Sequence, residues 1–271
     1  MKFGRRSISM YSQEHRLFLK KIKRTTLKTR LTQILILAFF LILWQFAADK
    51  GYINTFISSS PKRVVDTIIS LINQGTLWGH IWITTYETIL SFTIGTGLGW
   101  MIATLLWWFP FLAKVMDPYL TILNSLPKVA LGPIIIIWAG AGKNSIIIMA
   151  LLISVIITII NVYQGFSETD PHKIKLLESF RASKTQIYFK LIMPSSLQTI
   201  MNALKINVSM SLIGVIMGEF LVSKEGIGYL IMYGSQVFNL DLVVAGIFIL
   251  CIVATIMYYM VIYLEKKLIK N

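Results

Sequence analysis

Charge is scarce in this chain, and negative charge scarcer still. Of 271 residues 14% are charged, and 12 Asp+Glu stand against 26 Lys+Arg, for a formal net charge of +14. Soluble domains carry about 25% charged residues, so a soluble fold of this length would lack the charge to cover its surface. Cysteine is reduced to Cys251, set inside an apolar block, which excludes an internal disulfide and any Cys-based metal site. His15, His80 and His172 lie far apart in different connecting regions and read as solvated or interfacial side chains, not as a ligand set. No cofactor and no metal are expected. In a soluble protein the positive excess would suggest nucleic acid. Here the basic residues occupy the gaps between apolar blocks, so the excess points to membrane topology, and no nucleic-acid partner is expected.

Hydrophobic residues, by contrast, make up 55% of the chain, and the mean hydropathy is +0.69. They come in blocks near the ~20 residues that a helix needs to cross a bilayer. Residues 1–30 hold ten Lys/Arg (Lys2, Arg5, Arg6, Arg16, Lys20, Lys21, Lys23, Arg24, Lys28 and Arg30), and the apolar run Leu31–Ala48 follows directly. A signal peptide shares this plan, but the run is longer than a usual signal core, and Phe46 spoils a small-x-small cleavage site. A retained first span is expected. Ser60-Pro61 is a helix start, and Val64, Val65, Ile68, Ile69, Leu71 and Ile72 recur near helical spacing. They predict an amphipathic helix on the membrane surface, either docking an external partner or packing on the spans.

Further spans are expected at about Ile81–Trp107, Ala113–Trp138, Ser145–Phe166, Ser195–Val222 and Leu242–Leu264. Pro127-Lys128 interrupts the third span and predicts a bent or broken helix, which is tolerated where it faces a cavity or protein. Lys/Arg are concentrated in the N-terminal tail, at Lys114, in the 167–194 insertion and at Lys266, Lys267 and Lys270. The alternate loops hold only Lys50, Lys62, Arg63, Lys143 and Lys224. The positive-inside rule then puts both termini and the 167–194 insertion in the cytoplasm. The expected fold is all-α and polytopic, with six transmembrane helices. Its segments are a basic cytoplasmic tail (1–30), a first transmembrane helix with an external amphipathic helix (31–80), and a core (81–271) with a cytoplasmic helix at about 170–184.

Gly140-Ala-Gly142-Lys143-Asn144 brushes against a phosphate-binding loop. However, Ile137 stands where that motif's first glycine belongs and Asn144 where its hydroxyl belongs. If ATP is used, another subunit must bind it. Gly95-x-x-x-Gly99 with Ala103, and Gly214-x-x-x-Gly218, are small-residue stripes that let helices approach closely in lipid, within one chain or across a dimer. Glu87 and Glu219 lie deepest in apolar sequence, and an ionisable group there is a functional-site candidate by default. The alternative is a carboxyl bonded to a neighbouring helix for packing. Asn207 and Ser211 lie upstream of Glu219, and Ser211 and Glu219, eight apart, share a helical face. A polar stripe on an apolar span suggests a face turned to a translocation pathway.

The cytoplasmic insertion carries the strongest signal. Asp170-Pro171 opens a short helix, and Ile174, Leu177 and Phe180 form an apolar stripe with basic flanks. The segment resembles the coupling segment of ABC-importer permeases, whose pattern is Glu-Ala-Ala-x3-Gly, nine residues, then Ile-x-Leu-Pro. With Arg181 at the glycine position, Ala182-Ser183 match the Ala-Ser that often follows, and Leu191 and Pro194 fall at the Ile and Pro positions. Gly218-Glu219-Phe220 and Gly226-Ile227-Gly228-Tyr229-Leu230 resemble motifs of the nitrate/sulfonate/taurine-type permeases, a binding-protein-dependent transport inner-membrane component family. The resemblance covers about Tyr86 to the C-terminus. It departs at Lys175-Leu176-Leu177, which replace Glu-Ala-Ala, and at Arg181. Glycine takes φ > 0 cheaply and arginine does not, so a tighter-wound or longer turn is expected there.

The resemblance implies a type I ABC-importer permease (MetI-like) core in a bacterial cell membrane. It works as a homodimer with separate ABC ATPase subunits and an extracytoplasmic solute-binding protein. Ile174, Leu177, Glu178, Ser179, Phe180, Arg181, Ala182, Ser183 and Pro194 would couple to the ATPase, and Glu219, Ser211, Asn207 and Glu87 would serve the pathway. The chain itself would catalyse no bond change. The resembling subfamily handles nitrate, sulfonates, taurine and vitamin precursors such as riboflavin or pyrimidines. A secondary transporter is the main rival, although no convincing repeat relates 31–138 to 145–264. A membrane enzyme finds no Asp/His/Cys cluster at metal or nucleophile spacing in the spans, although Asp117, Glu168 and Asp170 lie near the cytoplasmic face. A scaffold without transport activity is a further alternative.

Overall fold

The computed structural model describes the backbone of residues 3–269 and the side chains of residues 15 and 17–267. Lys2 and Lys270, and the side chains of Arg5, Arg6 and Arg16, lie outside the described residues. The chain divides into two compact units, residues 1–65 and 66–271.

In the first unit, one helix, α1 (Phe3–Asp49), carries both the basic segment and the apolar run. Its stretch Leu17–Asp49 is long and apolar enough to cross a membrane. The helix thus runs through the segment expected as a separate tail, because no proline or glycine-based stop separates Lys20 from Leu31. A four-residue helix, α2 (Thr55–Ser58), is capped by Asn54, whose side chain accepts from the Phe56 N–H at 2.9 Å. The next helix, α3 (Pro61–Asn73), begins at the Ser-Pro start. There the Arg63 N–H donates to Ser60 Oγ at 3.4 Å, and Gln45 Oε1 of α1 accepts from the Lys62 N–H at 3.0 Å.

The second unit continues through α4 (Leu77–Trp108), α5 (Pro110–Ser125), a 3-10 turn (Lys128–Leu131), α6 (Gly132–Ala139) and α7 (Lys143–Ser167). It ends with α8 (Pro171–Ser179), α9 (Lys184–Ile187), a π-helical turn (Tyr188–Ile192), α10 (Met193–Val222), α11 (Ile227–Gln236) and α12 (Leu240–Ile269). Ile68 and Leu71 of α3 pack into this unit's largest apolar cluster, while Ile69 and Ile72 stay exposed.

Helix α7 is the centre of the fold, packed against α4 on one flank and α10 on the other. The small-residue stripes make both contacts, and they make them within one chain. A Cβ on Gly99 would stand 2.5 Å from Thr158 Cβ, and one on Gly214 would stand 2.5 Å from Ala150 Cα. Gly95 meets Ser154 and Gly218 meets Ile146 in the same way. In lipid no hydrophobic effect draws helices together, so this close backbone approach supplies the packing.

The Pro127-Lys128 interruption produces an 87° bend between Pro110–Ser125 and Lys128–Ala139. Leu126, the residue before proline, is extended (φ −62°, ψ 133°), since the proline ring disfavours α geometry there. Lys128 Nζ donates to the Asn124 carbonyl at 2.7 Å and so serves the helix end it terminates. Among the described residues five helices are long and apolar enough to span a membrane, and the bent pair makes a sixth if it counts as one span.

Candidate functional site: an exposed handle and a sealed carboxylate

The segment between α7 and α10 is clasped at its base. Ser196 Oγ of α10 donates to the Gly165 carbonyl of α7 at 2.8 Å, and Thr169 Oγ1 and Ser195 Oγ lie 2.9 Å apart. From this base α8 projects. Asp170 caps it by accepting the His172 N–H at 2.9 Å, and Pro171 occupies the first turn, where its missing donor costs nothing. The expected apolar stripe is divided between two faces. Ile174 and Leu177 pack on the apolar cluster of Val162, Phe166, Ile187 and Ile192. Phe180 instead stands 74% exposed, beside Leu176 at 56%. Glu178 and Ser179 are exposed as well.

The helix ends at Ser179, so the expected helix to about residue 184 is shorter by one turn. Arg181 accounts for the stop. The Arg181 N–H donates to the Glu178 carbonyl at 2.8 Å and the Ala182 N–H to the Leu177 carbonyl at 3.0 Å. These are the paired bonds of a Schellman stop, which calls for a left-handed residue at the Arg181 position. Arg181 adopts that conformation, with φ 55°. The turn expected to be tighter-wound or longer is therefore of ordinary length. Arginine takes up the backbone geometry that glycine would, because the two carbonyl bonds and the packing of Leu177 and Ala182 on the same apolar cluster outweigh a strain of about 1–2 kcal/mol.

Ser183 opens α9 with a capping box. Its side chain accepts from the Gln186 N–H, and the Gln186 side chain accepts from the Ser183 N–H at 2.8 Å. Lys184 Nζ donates to the Trp108 carbonyl, and it lies 5.6 Å from the Trp107 ring and 5.5 Å from the Trp108 ring. Buried Tyr188 is the hub of this end. Its hydroxyl lies 2.9 Å from Thr104 Oγ1 and accepts from Trp100 Nε1 at 3.4 Å, while its ring meets Trp107, Trp108, Phe166 and Phe189. The backbone widens to a π turn here, with the Met193 N–H donating to the Tyr188 carbonyl. Pro194 explains the widening, because its ring would clash with the Lys190 carbonyl of a regular helix. Helical structure is thus continuous from Lys184 to Val222, and Pro194 sits within it.

At the other end of the core, Glu219 is fully buried. Glu219 Oε1 accepts from the Thr84 hydroxyl at 2.6 Å, and Oε2 accepts from the Gly228 N–H at 2.5 Å. Thr84 Oγ1 in turn accepts from the Ile227 N–H at 2.8 Å, and His80 Nδ1 accepts from the Gly226 N–H at 3.0 Å. The unbonded donors that open any helix are thus met at α11 by one side chain of α10 and two of α4. Both glycines are obligatory. Gly226 has φ +103°, and a Cβ at Gly226 or Gly228 would run into the Glu219 carboxyl group.

Glu87, Asn207 and Ser211 are buried as deeply. Asn207 Nδ2 donates to Thr96 Oγ1 at 2.8 Å. Both Glu87 carboxyl oxygens, the hydroxyls of Ser91, Ser154 and Ser211, and Asn207 Oδ1 have no hydrogen-bond partner. The stripe of Asn207, Ser211 and Glu219 is therefore buried in this conformation, with Asn207 and Glu219 bonded to α4, and is not an open surface. Among the described residues no group of three or more His, Cys, Asp or Glu could hold a metal ion.

Residues 95–270 match the family of binding-protein-dependent transport system inner membrane components. The chain belongs to this family. It is similar to the putative aliphatic sulfonates transport permease protein SsuC of Bacillus subtilis, at 29% identity over 88% of this chain and 86% of that one. It is also similar to the formylaminopyrimidine transport permease protein ThiX of Halalkalibacterium halodurans, at 25% identity over 84% and 91%. Its fold matches a permease chain in an inward-facing structure of the MetNI methionine ABC transporter, with a TM-score of 0.64 and 17% identity, covering 70% of this chain and 96% of that one.

This binding-protein-dependent permease is therefore a multi-pass inner-membrane subunit of an ABC importer. The matched span holds all nine residues expected to couple, together with Asn207, Ser211 and Glu219; Glu87, Thr84 and His80 precede it. Trp100, Trp107, Lys184 and Tyr188 went unseen in the sequence as members of one assembly. The only signal that could have found them is the aromatic density of Trp107-Trp108 set against Tyr188-Phe189. The helix α11 was likewise visible only as its Gly-Ile-Gly-Tyr-Leu motif.

Proposed function

We propose that two copies of this permease enclose the solute pathway of the importer. A separate ABC ATPase subunit grips α8 of each copy from the cytoplasm, and an extracytoplasmic binding protein delivers solute to the opposite end. The observation that carries this reading is the division of α8. Ile174 and Leu177 anchor the helix to the spans, leaving Phe180 and Leu176 bare for a partner. An exposed aromatic anchor rimmed by polar Glu178, Ser179, Arg181 and Ser183 is the composition of an interface hot spot. ATP-driven closure of the ATPases would pull on α8. The motion would pass through Ala182, Ser183 and the Lys184–Trp108 and Tyr188 contacts into α4 and, beyond Pro194, into α10. Glu219, Ser211, Asn207 and Glu87 would serve the pathway from behind, by fixing how α4, α7 and α10 part. The solute would be a small organic molecule of the kinds in the relatives' names, a sulfonate or a pyrimidine.

Cysteine cross-linking tests the reading directly. In a Cys251→Ser background, Phe180→Cys should cross-link to the ATPase subunit and be protected from membrane-impermeant maleimide in intact cells. Labelling of this cysteine from outside the cell, or uptake by vesicles containing the permease without ATPase, would overturn it.

A further inference from the structure

At the end of the second unit opposite α8, a cavity of about 520 Å³ lies among α3, α4, α11 and α12. Its volume falls in the range of small-molecule sites, which combine aromatic walls with a few placed polar groups. Three rings run along it in a stepped stack. His80 and Tyr229 are 6.1 Å apart at 23°, and Tyr229 and Tyr233 are 5.8 Å apart at 26°. Gln74 and Asn239 add amides. Gln74 Nε2 is held by Ser70 Oγ at 2.9 Å, leaving Oε1 as an acceptor, and Asn239 Oδ1 accepts the Leu242 N–H at 3.1 Å, leaving Nδ2 as a donor.

The lining includes no Lys, Arg, Asp or Glu. Its histidine is committed as well. Because Nδ1 accepts the Gly226 N–H, the ring's single proton is on Nε2 and the imidazole is neutral. A sulfonate carries a permanent charge and three acceptor oxygens, and it calls for a cationic or multiply donating site. This cavity offers no cation, and its neutral amide and hydroxyl donors alone would leave the sulfonate charge uncompensated. It offers flat π faces, amide donor and acceptor groups, and phenol hydroxyls.

We propose that this cavity is a receiving site for an uncharged, planar heteroaromatic solute of at least pyrimidine size, stacked on the Tyr229–Tyr233 wall and hydrogen-bonded at its edge by Gln74 and Asn239. The proposal rests on the permease reading, which makes this end extracytoplasmic, and it narrows that reading to the ring-shaped class of solute. His80 links the cavity to the sealed carboxylate, since it lines the one and bonds the N-terminus of α11 that Glu219 holds. A solute stacked here would therefore press on the same joint.

The test uses the assembled permease–ATPase complex in nanodiscs, without binding protein, and two probes, 4-amino-2-methylpyrimidine and ethanesulfonate, followed by saturation-transfer NMR and calorimetric titration. The aminopyrimidine should bind and the sulfonate should neither bind nor displace it. Tyr233→Leu should weaken binding by about five-fold, the loss of one stacking face. Tyr233 is 44% exposed, so this change leaves the core intact. Gln74→Ala, on the far wall, should weaken binding independently. Absence of aminopyrimidine binding, binding unchanged in both variants, or displacement by ethanesulfonate would overturn the proposal. Cross-linking of Phe180→Cys to the ATPase subunit in the same complex is read in parallel, so a failed cavity and a failed permease assignment give different results.

Discussion

The two ends of the helical core solve opposite problems. At the α8 end apolar surface is left bare, with Phe180 and Leu176 in the open, while the polar groups beneath are few and each is tied to a named partner, Lys184 to Trp108 and Tyr188 to Thr104. At the α11 end polar groups are shut inside. Glu219, Thr84, Glu87, Ser91, Asn207 and Ser211 are all buried, and several have no partner. Bare apolar surface attracts a partner protein, whereas buried polar groups hold only when their bonds are made and are costly when they are not. The contrast teaches where change should be tolerated by the fold. Substitutions at the handle should spare folding and break coupling, and substitutions at the sealed end should break folding first.

Gly228→Ala is the strongest test of the sealed end. The new Cβ would lie 2.7 Å from Glu219 Oε2 and 2.9 Å from Glu219 Cβ. Either the carboxyl group loses the Gly228 N–H or α11 shifts, a loss of about 3 kcal/mol from overpacking and a broken buried hydrogen bond. The amount of folded permease and its melting temperature in detergent should both drop, and a normal melting temperature would remove Gly228 from the joint. Phe180→Asp is the matching test of the handle. Membrane insertion and melting should stay at wild-type values, while solute-stimulated ATP hydrolysis falls by about 100-fold, the loss of one interface hot spot. Coupled transport at the wild-type rate would show that the ATPase grips elsewhere. The Glu219–Thr84 bond gives a finer reading. Glu219→Leu and Thr84→Val should each cost about 2 kcal/mol or more, and the double variant about 1 kcal/mol less than their sum, since both remove the Thr84–Glu219 bond. Strict additivity would mean that the two side chains act separately.

Much of this contrast is legible in the sequence, and what is not has a common cause. Local devices could be read. Pro127-Lys128 announces the 87° bend, Ser60-Pro61 and Asp170-Pro171 announce helix starts, and the Gly95/Gly99 and Gly214/Gly218 stripes announce close helix contacts. Each depends on neighbours within a few residues, where backbone sterics decide. Glu219 and its burial in apolar sequence were equally plain, but its partner Thr84 lies 135 residues away and no periodicity connects them. The Tyr188 hub joins residues 84 and 88 positions apart for the same reason. The turn after α8 misled because sequence favours glycine at a left-handed position, while the two backbone bonds of the helix stop, with Leu177 and Ala182 packed on the core, hold arginine there.

Tyr188→Phe probes whether the handle's mounting is polar or merely packed. The ring contacts survive, and the bonds to Thr104 and Trp100 are lost, so about 1 kcal/mol of stability should go. Coupling efficiency, measured as solute transported per ATP hydrolysed, should fall while the ATPase still binds. An unchanged ratio would show that packing alone transmits the motion.

The smallest expected effect has the opposite sign. Arg181 holds φ 55° at the residue that closes the Schellman stop of α8, and glycine occupies such a position without the steric penalty of a side chain. Arg181→Gly should therefore stabilise the permease by about 1 kcal/mol, less whatever is lost through the greater freedom of glycine in the unfolded chain, and should raise the melting temperature slightly. What happens to coupling then identifies the role of the guanidinium group. If Arg181 only terminates the helix, Arg181→Gly keeps solute-stimulated ATP hydrolysis intact. If its charge meets an acidic group on the ATPase, coupling falls even as stability rises. Arg181→Asn separates the two further, because asparagine tolerates the left-handed region and carries no charge. A lower melting temperature in Arg181→Gly would contradict the strain assigned to this turn. It would also remove the backbone reason for treating Arg181 as part of the handle and not simply its end.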